Sequence, residues 1–178
     1  MDRIEWLSGI VLRTANECDL PALEWEGEYI HYRRLYRQIF ESTLIGKAII
    51  WLANLSGGLL VGQVFVQLSS GRSELADGTQ RGYIYGFRVK PAYRRSGLGS
   101  LMLEHVEQDL IARRYKYATL NVSQDNPEAL DFYKRHGYRI IDKEPGEWTY
   151  IDDQGLLREV HEPAFRLIKK LANKLMIC

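Results

Sequence analysis

Phe87-Arg88-Val89-Lys90-Pro91-Ala92-Tyr93-Arg94-Arg95-Ser96-Gly97-Leu98-Gly99-Ser100 is the stretch on which the fold turns. An apolar strand stops at a proline, which cannot donate to a ladder. A short loop with two arginines follows, and Gly-x-Gly opens a helix striped by Leu98, Leu101, Met102, Val106 and Leu110. Unpaired N–H groups at a helix start point outward, and the peptide dipoles add about half a positive charge there. Arg94 and Arg95 can add charge-assisted hydrogen bonds. The segment therefore reads as an anion site, and a pyrophosphate suits it.

Two phosphate motifs fail on inspection. A P-loop needs Lys-Ser/Thr after its second glycine, whereas Gly99 is followed by Ser100-Leu101. A dinucleotide fingerprint needs a third glycine where Met102 stands. What remains is Arg/Gln-x-x-Gly-x-Gly/Ala, present as Arg94-Arg95-Ser96-Gly97-Leu98-Gly99. Taken alone, that pattern describes a tight turn as readily as a ligand site.

Working outward, Tyr83 to Lys90 is the strand that feeds this turn, preceded by a long polar loop from Ser69 to Gly82. Lys47 to Asn54 and Leu59 to Ser70 read as two strands joined at Ser56-Gly57-Gly58, with Leu60, Val64, Val66 and Leu68 on one face. Tyr32, Leu35, Tyr36, Ile39, Phe40 and Thr43 recur at helical spacing between His31 and Gly46, with Arg33, Arg34 and Arg37 largely off that face. Ile10 to Ala15 is a first strand, and Asp19-Leu20-Pro21 reads as a capped helix start. Downstream come a strand over Tyr117 to Ser123 and a short helix capped at Asp125-Asn126-Pro127 and ended by His136-Gly137. Tyr138 to Asp142, Glu147 to Asp152 and a segment near Ala164 to Ile168 are expected to complete the sheet. Strands in a run with helices inserted between some of them predict a mixed α/β (α+β) sheet covered on both faces.

A second motif lies one helix after the glycine turn: Asn126-Pro127-Glu128-Ala129-Leu130-Asp131-Phe132-Tyr133-Lys134-Arg135-His136-Gly137-Tyr138. With it in place, the chain resembles the GCN5-related N-acetyltransferase (GNAT) superfamily. Its acyl-CoA motif is similar to the Val89–Gly99 segment, and its next motif to Asn-x-x-Ala-x-x-Phe-Tyr-x-x-x-Gly-Phe/Tyr. The resemblance implies one acyl-CoA N-acyltransferase domain over 1–178, with a cofactor-binding core at about 83–138. It also implies a mostly antiparallel central sheet of six to seven strands flanked by about four helices.

The same resemblance implies the site. The strand through Phe87, Arg88 and Val89 would pair with the pantetheine arm of acetyl-CoA, used as cosubstrate without a metal. The turn carrying Arg94, Arg95, Ser96, Gly97, Leu98, Gly99 and Ser100 would hold the pyrophosphate. Asn126 would touch the cofactor arm, although a plain helix cap explains it equally well. Tyr133 would reach the thioester sulfur as the catalytic hydrogen-bond donor, with core packing as the competing explanation. The implied reaction is attack of a neutral primary amine on the thioester in a ternary complex; the other reading is a catalytically weak acyl-CoA-binding regulatory module.

The general base is open. Tyr83-Ile84-Tyr85-Gly86-Phe87 offers no carboxylate where some relatives carry a glutamate. A water relay remains, or a base from Glu24, Glu26 or Glu28, which lie where the family builds its acceptor wall and could attract a cationic amine; a solvated helix and loop is the bland account of those three. A peptide α-amine (pKa ~7.7–8.0) needs a weaker base than a lysine amine (~10.4). The acceptor itself, an amine-bearing small molecule or a protein or peptide, is not legible.

Composition constrains the rest. The 178 residues carry 24 Lys+Arg against 23 Asp+Glu, a net charge of +1, so the footprint of a general nucleic-acid binder is missing. Arg33, Arg34 and Arg37 then read as a solvated helix face. No stretch reaches the ~20 apolar residues that cross a bilayer, and Met1 to Leu20 is too charged for a signal peptide, so no membrane partner and a cytoplasmic setting are expected. Cys18 and Cys178 lie near opposite ends without metal-ligand spacing. His161-Glu162 lacks a second histidine at metalloprotease spacing. A homodimer would be ordinary for the family, but no interface can be read.

Overall fold

The computed structural model describes residues 3–172, and in it the strand that ends before Pro91 runs through the middle of a seven-stranded sheet. The strands are β1 (Ile10–Thr14), β2 (Ala48–Leu55), β3 (Leu60–Gln67), β4 (Arg81–Val89), β5 (Tyr117–Ser123), β6 (Arg139–Glu144) and, after a separate hairpin of β7 (Glu147–Ile151) and β8 (Leu157–His161), β9 (Ala164–Lys170). Their spatial order is β1-β2-β3-β4-β5-β9-β6, antiparallel throughout except between β4 and β5. The helices are α1 (Arg3–Ser8), α2 (Arg33–Leu44), α3 (Leu98–Ala112) and α4 (Pro127–Arg135), with short 3-10 turns at Glu17–Glu24, Ile30–Tyr32 and Pro91–Tyr93.

Two apolar layers hold this together. On one face of the sheet, Met102, Leu103, Val106 and Leu110 of α3 pack on Val64, Val66, Ile84, Leu120 and Leu167. On the other, Tyr36, Ile39 and Phe40 of α2 join Leu23, Ile50, Leu52 and Phe65. β3 is buried on both sides, which is why its sequence reads as a continuous apolar run rather than an alternation.

The feature that shapes the site is a fork in the sheet. β4 and β5 pair in parallel only from Arg81 to Ile84 against Tyr117 to Leu120. Beyond that point β4 stays with β3 while β5 stays with β9. A bulge accompanies the separation: Val64 alone faces Gly86 and Phe87, between the Gln63–Arg88 and Phe65–Tyr85 pairs. Gly86 sits at φ +56°, and a Cβ there would lie 2.5 Å from Phe65 Cδ2, so the bulge requires glycine.

Several sequence expectations need correction. Glu147–Ile151 does not join the main sheet; it pairs with Leu157–His161, a strand the sequence reading missed, in a two-stranded ribbon. The cap of the first turn is Asn16, not Asp19. Asn16 Oδ1 accepts from Cys18 N–H at 2.9 Å, while Asp19 returns a bond to Asn16 N–H and forks onto Arg13. Leu60 packs with Phe65 on the α2 face, away from Val64, Val66 and Leu68, because the ladder slips between Ala53 and Asn54. The Ser69–Gly82 loop is tethered: Leu75 and Ala76 are buried, and Thr119 Oγ1 donates to Leu75 O at 2.7 Å. Cys18 is free and exposed, and Cys178 lies outside the described residues.

Candidate active site

The fork opens into a cleft of ≈ 650 Å³ between the end of β4, the start of α3 and one face of α4. Phe87, Arg88 and Val89 form its strand wall, and Arg94, Arg95, Gly97, Gly99 and Ser100 its glycine-turn end. Asn126 and Tyr133 border it from α4. Ser96 and Leu98 do not line it. Ser96 Oγ donates to Tyr93 O at 2.6 Å, and Leu98 is fully buried in the α3 core.

Gly97 at φ +96° is the residue before α3 and has no side chain with which to cap it; Ser96 Oγ accepts the Leu98 N–H, at 3.4 Å. The first-turn N–H groups of Gly99 and Ser100 have no acceptor within their own helix, as at any helix start, and both residues border the cleft. The Ser100 hydroxyl is already engaged. His136 Nδ1 lies 2.8 Å from Phe132 O, which can only accept, so the ring is protonated there and Nε2 accepts from Ser100 Oγ at 3.0 Å. That bond ties the end of α4 to the first turn of α3.

Arg94 lays its Nε–H on Val89 O at 3.0 Å, and Arg95 is almost fully exposed at the mouth. Asn126 serves as the cap of α4, its Oδ1 accepting from Ala129 N–H at 3.0 Å, while the residue still borders the cleft. Both readings of Asn126 are thus compatible with its position. Sequence reasoning missed Glu128, Ala129, Asp131, Phe132 and Arg135 as lining residues. Glu128, Asp131, Phe132 and Arg135 share one helical face, and Ala129 lies four residues before Tyr133, so helical spacing could have found them.

Tyr133 packs against Phe87, Phe132 and Tyr138. Burial, with a smaller effect from Tyr83, pushes its phenol well above the ordinary value, so it stays a proton donor across neutral pH. Tyr83 and Tyr85 stack in parallel where β4 leaves β5, their ring centroids 5.3 Å apart. Burial raises Tyr83 to about 12. From Tyr83 to Val89 this strand carries no carboxylate.

Across β4 from the cleft stands an aromatic wall. The turn that presents it contains Trp25, Glu26 and Gly27, all at positive φ. It is pinned by Trp25 Nε1–H donating to Gln63 at 2.9 Å and by Lys90 on Glu26 at 2.8 Å. Tyr29, Tyr32 and Tyr36 follow, and Tyr32 also meets Tyr150 and Trp148 of the β7–β8 ribbon. Arg88 carries its guanidinium into this wall, 4.1 Å from the centre of the Tyr29 ring, with Nη1 donating to Tyr36 Oη at 3.0 Å. Glu24 is buried and forked onto Arg33 at 2.6 and 2.8 Å, so it is committed to an ion pair.

The sequence pattern of the acetyltransferase (GNAT) family matches residues 14–138. The chain belongs to that family and is an N-acetyltransferase by class. It is 25% identical over 142 residues to the peptidyl-lysine N-acetyltransferase YiaC of Escherichia coli (strain K12), covering 74% of this chain and 85% of that one. Among solved structures, Ard1 from Thermoplasma volcanium superposes with a TM-score of 0.70 at 17% identity, covering 92% and 99% of the two chains. Arabidopsis thaliana NAA60 in complex with acetyl-CoA gives 0.68 at 20% identity, covering 91% and 98%. Among the described residues, no helix is long and apolar enough to cross a membrane.

Proposed function

We propose that this protein transfers the acetyl group of acetyl-CoA to a primary amine in a ternary complex. The observation that carries this reading is the convergence of the β4–β5 fork, the glycine turn and Tyr133 on one cleft. The residues present suit the cosubstrate: first-turn N–H groups and two arginines for a pyrophosphate, and a strand edge at Tyr85–Arg88 that β5 does not pair, for an amide-bearing arm. The family-matched relative is named for lysine acetylation and a structural neighbour contains acetyl-CoA, which supports the class of reaction.

The cosubstrate supplies a thioester; the N–C bond forms as the C–S bond breaks, and the amine proton leaves to solvent. Tyr133 then donates a hydrogen bond to the departing sulfur. A thiol at ~8.5 against an ordinary phenol at ~10 already makes full proton transfer uphill by about 2 kcal/mol. Burial raises the Tyr133 phenol further, so it stabilises the thiolate without surrendering its proton. With Tyr83 and Tyr85 in place of a carboxylate and Glu24 locked to Arg33, the amine proton leaves through water. That route favours an amine already partly neutral at pH 7, such as a peptide α-amine.

The test is release of free CoA thiol from acetyl-CoA across a panel of amines. Amine-dependent release is expected. Acetyl-CoA binding without release from any amine would instead make the protein a regulatory acyl-CoA-binding module.

A further inference from the structure

We propose that the acceptor amine carries a carboxylate and that Arg88 receives it, an inference that rests on the acetyltransferase reading above. Glu24, Glu26 and Glu28, whose position would let them attract a cationic amine, do not build an acidic wall. Glu24 is buried and forked onto Arg33, and Glu26 is held by Lys90 at 2.8 Å. Glu28 is exposed and acts on the Tyr29 hydroxyl. The charge that reaches the junction between cofactor cleft and aromatic wall is instead positive.

Arg88 borders the cleft together with Phe87, Val89 and Tyr133, and is half-buried. Its partners are neutral: the Tyr36 hydroxyl, which takes one N–H, and the faces of Tyr29 and Tyr32, 4.1 and 5.6 Å away. Among the described residues no carboxylate forms an ion pair with it, whereas the neighbouring Arg33 forks onto Glu24. The other carboxylate acting on this wall, Glu162, is exposed and acts on Tyr32.

A guanidinium has five N–H donors in a planar fork that matches a carboxylate. Two phenol rings and a hydroxyl hold the Arg88 fork in place yet supply no counter-charge. Such an arrangement is pre-oriented for an anion that arrives with the substrate. Tyr32 lies beside it and is continued by Trp148 and Tyr150, giving the body of the acceptor an apolar surface. The carboxylate has two chemical sources: the α-carboxylate of a free amino acid, or an acidic side chain next to the α-amine of a peptide.

The experiment measures kcat/KM by thiol release for two matched pairs: tyrosine against tyrosinamide, and a Ser-Glu-led peptide against its Ser-Gln counterpart. In at least one pair the carboxylate member is expected to be preferred about 10-fold or more. The pair that discriminates identifies the source. Arg88→Gln is expected to bring that ratio close to one, and Arg88→Lys to restore part of it. Thermal unfolding and CoA affinity are followed in parallel, so that a folding defect is separated from a change in preference. Turnover of both members of both pairs without discrimination overturns the carboxylate proposal and leaves the enzyme intact. A ratio that survives in both well-folded Arg88 variants also overturns it. Absence of turnover with every amine overturns the acetyltransferase reading and this proposal together.

Discussion

Arg95 Nη1 stands 4.0 Å from Glu128 Oε1 across the mouth of the cleft, with the two side chains 86% and 85% exposed. On the acetyl-CoA reading proposed above, an acidic residue in the first turn of α4 would thus share an arginine with the cosubstrate's pyrophosphate. Exposed pairs contribute ~0–1 kcal/mol, so the competition is mild and screened by salt. Glu128→Gln should tighten CoA binding up to about 5-fold at low salt, and Arg95→Ala should weaken it by a similar factor. Calorimetric titration with CoA at two ionic strengths checks both, and both effects should shrink at the higher one.

Tyr133→Phe removes one hydroxyl and keeps the ring contacts with Phe87, Phe132 and Tyr138. Turnover should fall about 100-fold while the dissociation constant for CoA stays within about 2-fold. Because burial raises the Tyr133 phenol, its protonated form persists well past pH 10. The wild-type kcat should therefore show no alkaline loss near the ordinary phenol value. A variant with undiminished kcat removes Tyr133 from the chemistry.

Gly86→Ala places a Cβ 2.5 Å from Phe65 Cδ2 at a backbone φ of +56°. Strain and overpacking together should cost about 2–4 kcal/mol, and flattening of the bulge should weaken CoA binding as well. Urea unfolding compared with wild type, beside CoA titration of the folded variant, reads the two consequences separately.

Asp77 anchors the loop that leads into β4. Its Oδ1 accepts the N–H groups of Gln80, Arg81 and Thr79 at 2.7, 3.0 and 2.9 Å. Burial alone would raise its pKa, but these backbone bonds outweigh that and lower it from 3.8 to about 2. A depressed carboxyl stabilises the fold above its unfolded value and loses that contribution as pH falls through about 4 towards about 2. Asp77→Ala should cost about 1–3 kcal/mol at pH 7. The gap between variant and wild type should narrow across that acid window, which urea midpoints measured from pH 7 down to pH 2 will show.

The parts of this structure legible in the sequence are those where one residue type has one physical use. Gly97 before an apolar helix, Pro91 after a strand, and Asn126 ahead of Pro127 each mark a boundary that local chemistry enforces. The α2 and α3 faces were readable because helical periodicity survives without knowledge of the partner. The β7–β8 ribbon was not, since Glu147–Ile151 looks the same whether it pairs with Leu157–His161 or with a main-sheet edge. The Leu60 face inverted for a related reason, because a one-residue slip in a strand buried on both sides leaves no alternation to betray it. At the site, the residue types were visible but not their pairing. Glu24 has the look of a free base, yet Arg33 forks onto it, and Arg88, which borders the cleft from its strand, also sends its guanidinium among tyrosines.

The fork between β4 and β5 also means that the central sheet is left open along part of its length. An extended, amide-bearing chain laid in the gap would act as a provisional strand between two edges that no longer pair with each other beyond Ile84 and Leu120. Occupancy then becomes part of the fold's own cohesion: at 100 times the dissociation constant, a ligand confined to the native state adds about 2.7 kcal/mol against unfolding. On the acetyl-CoA reading proposed above, resistance to unfolding would therefore rise with the concentration of that ligand.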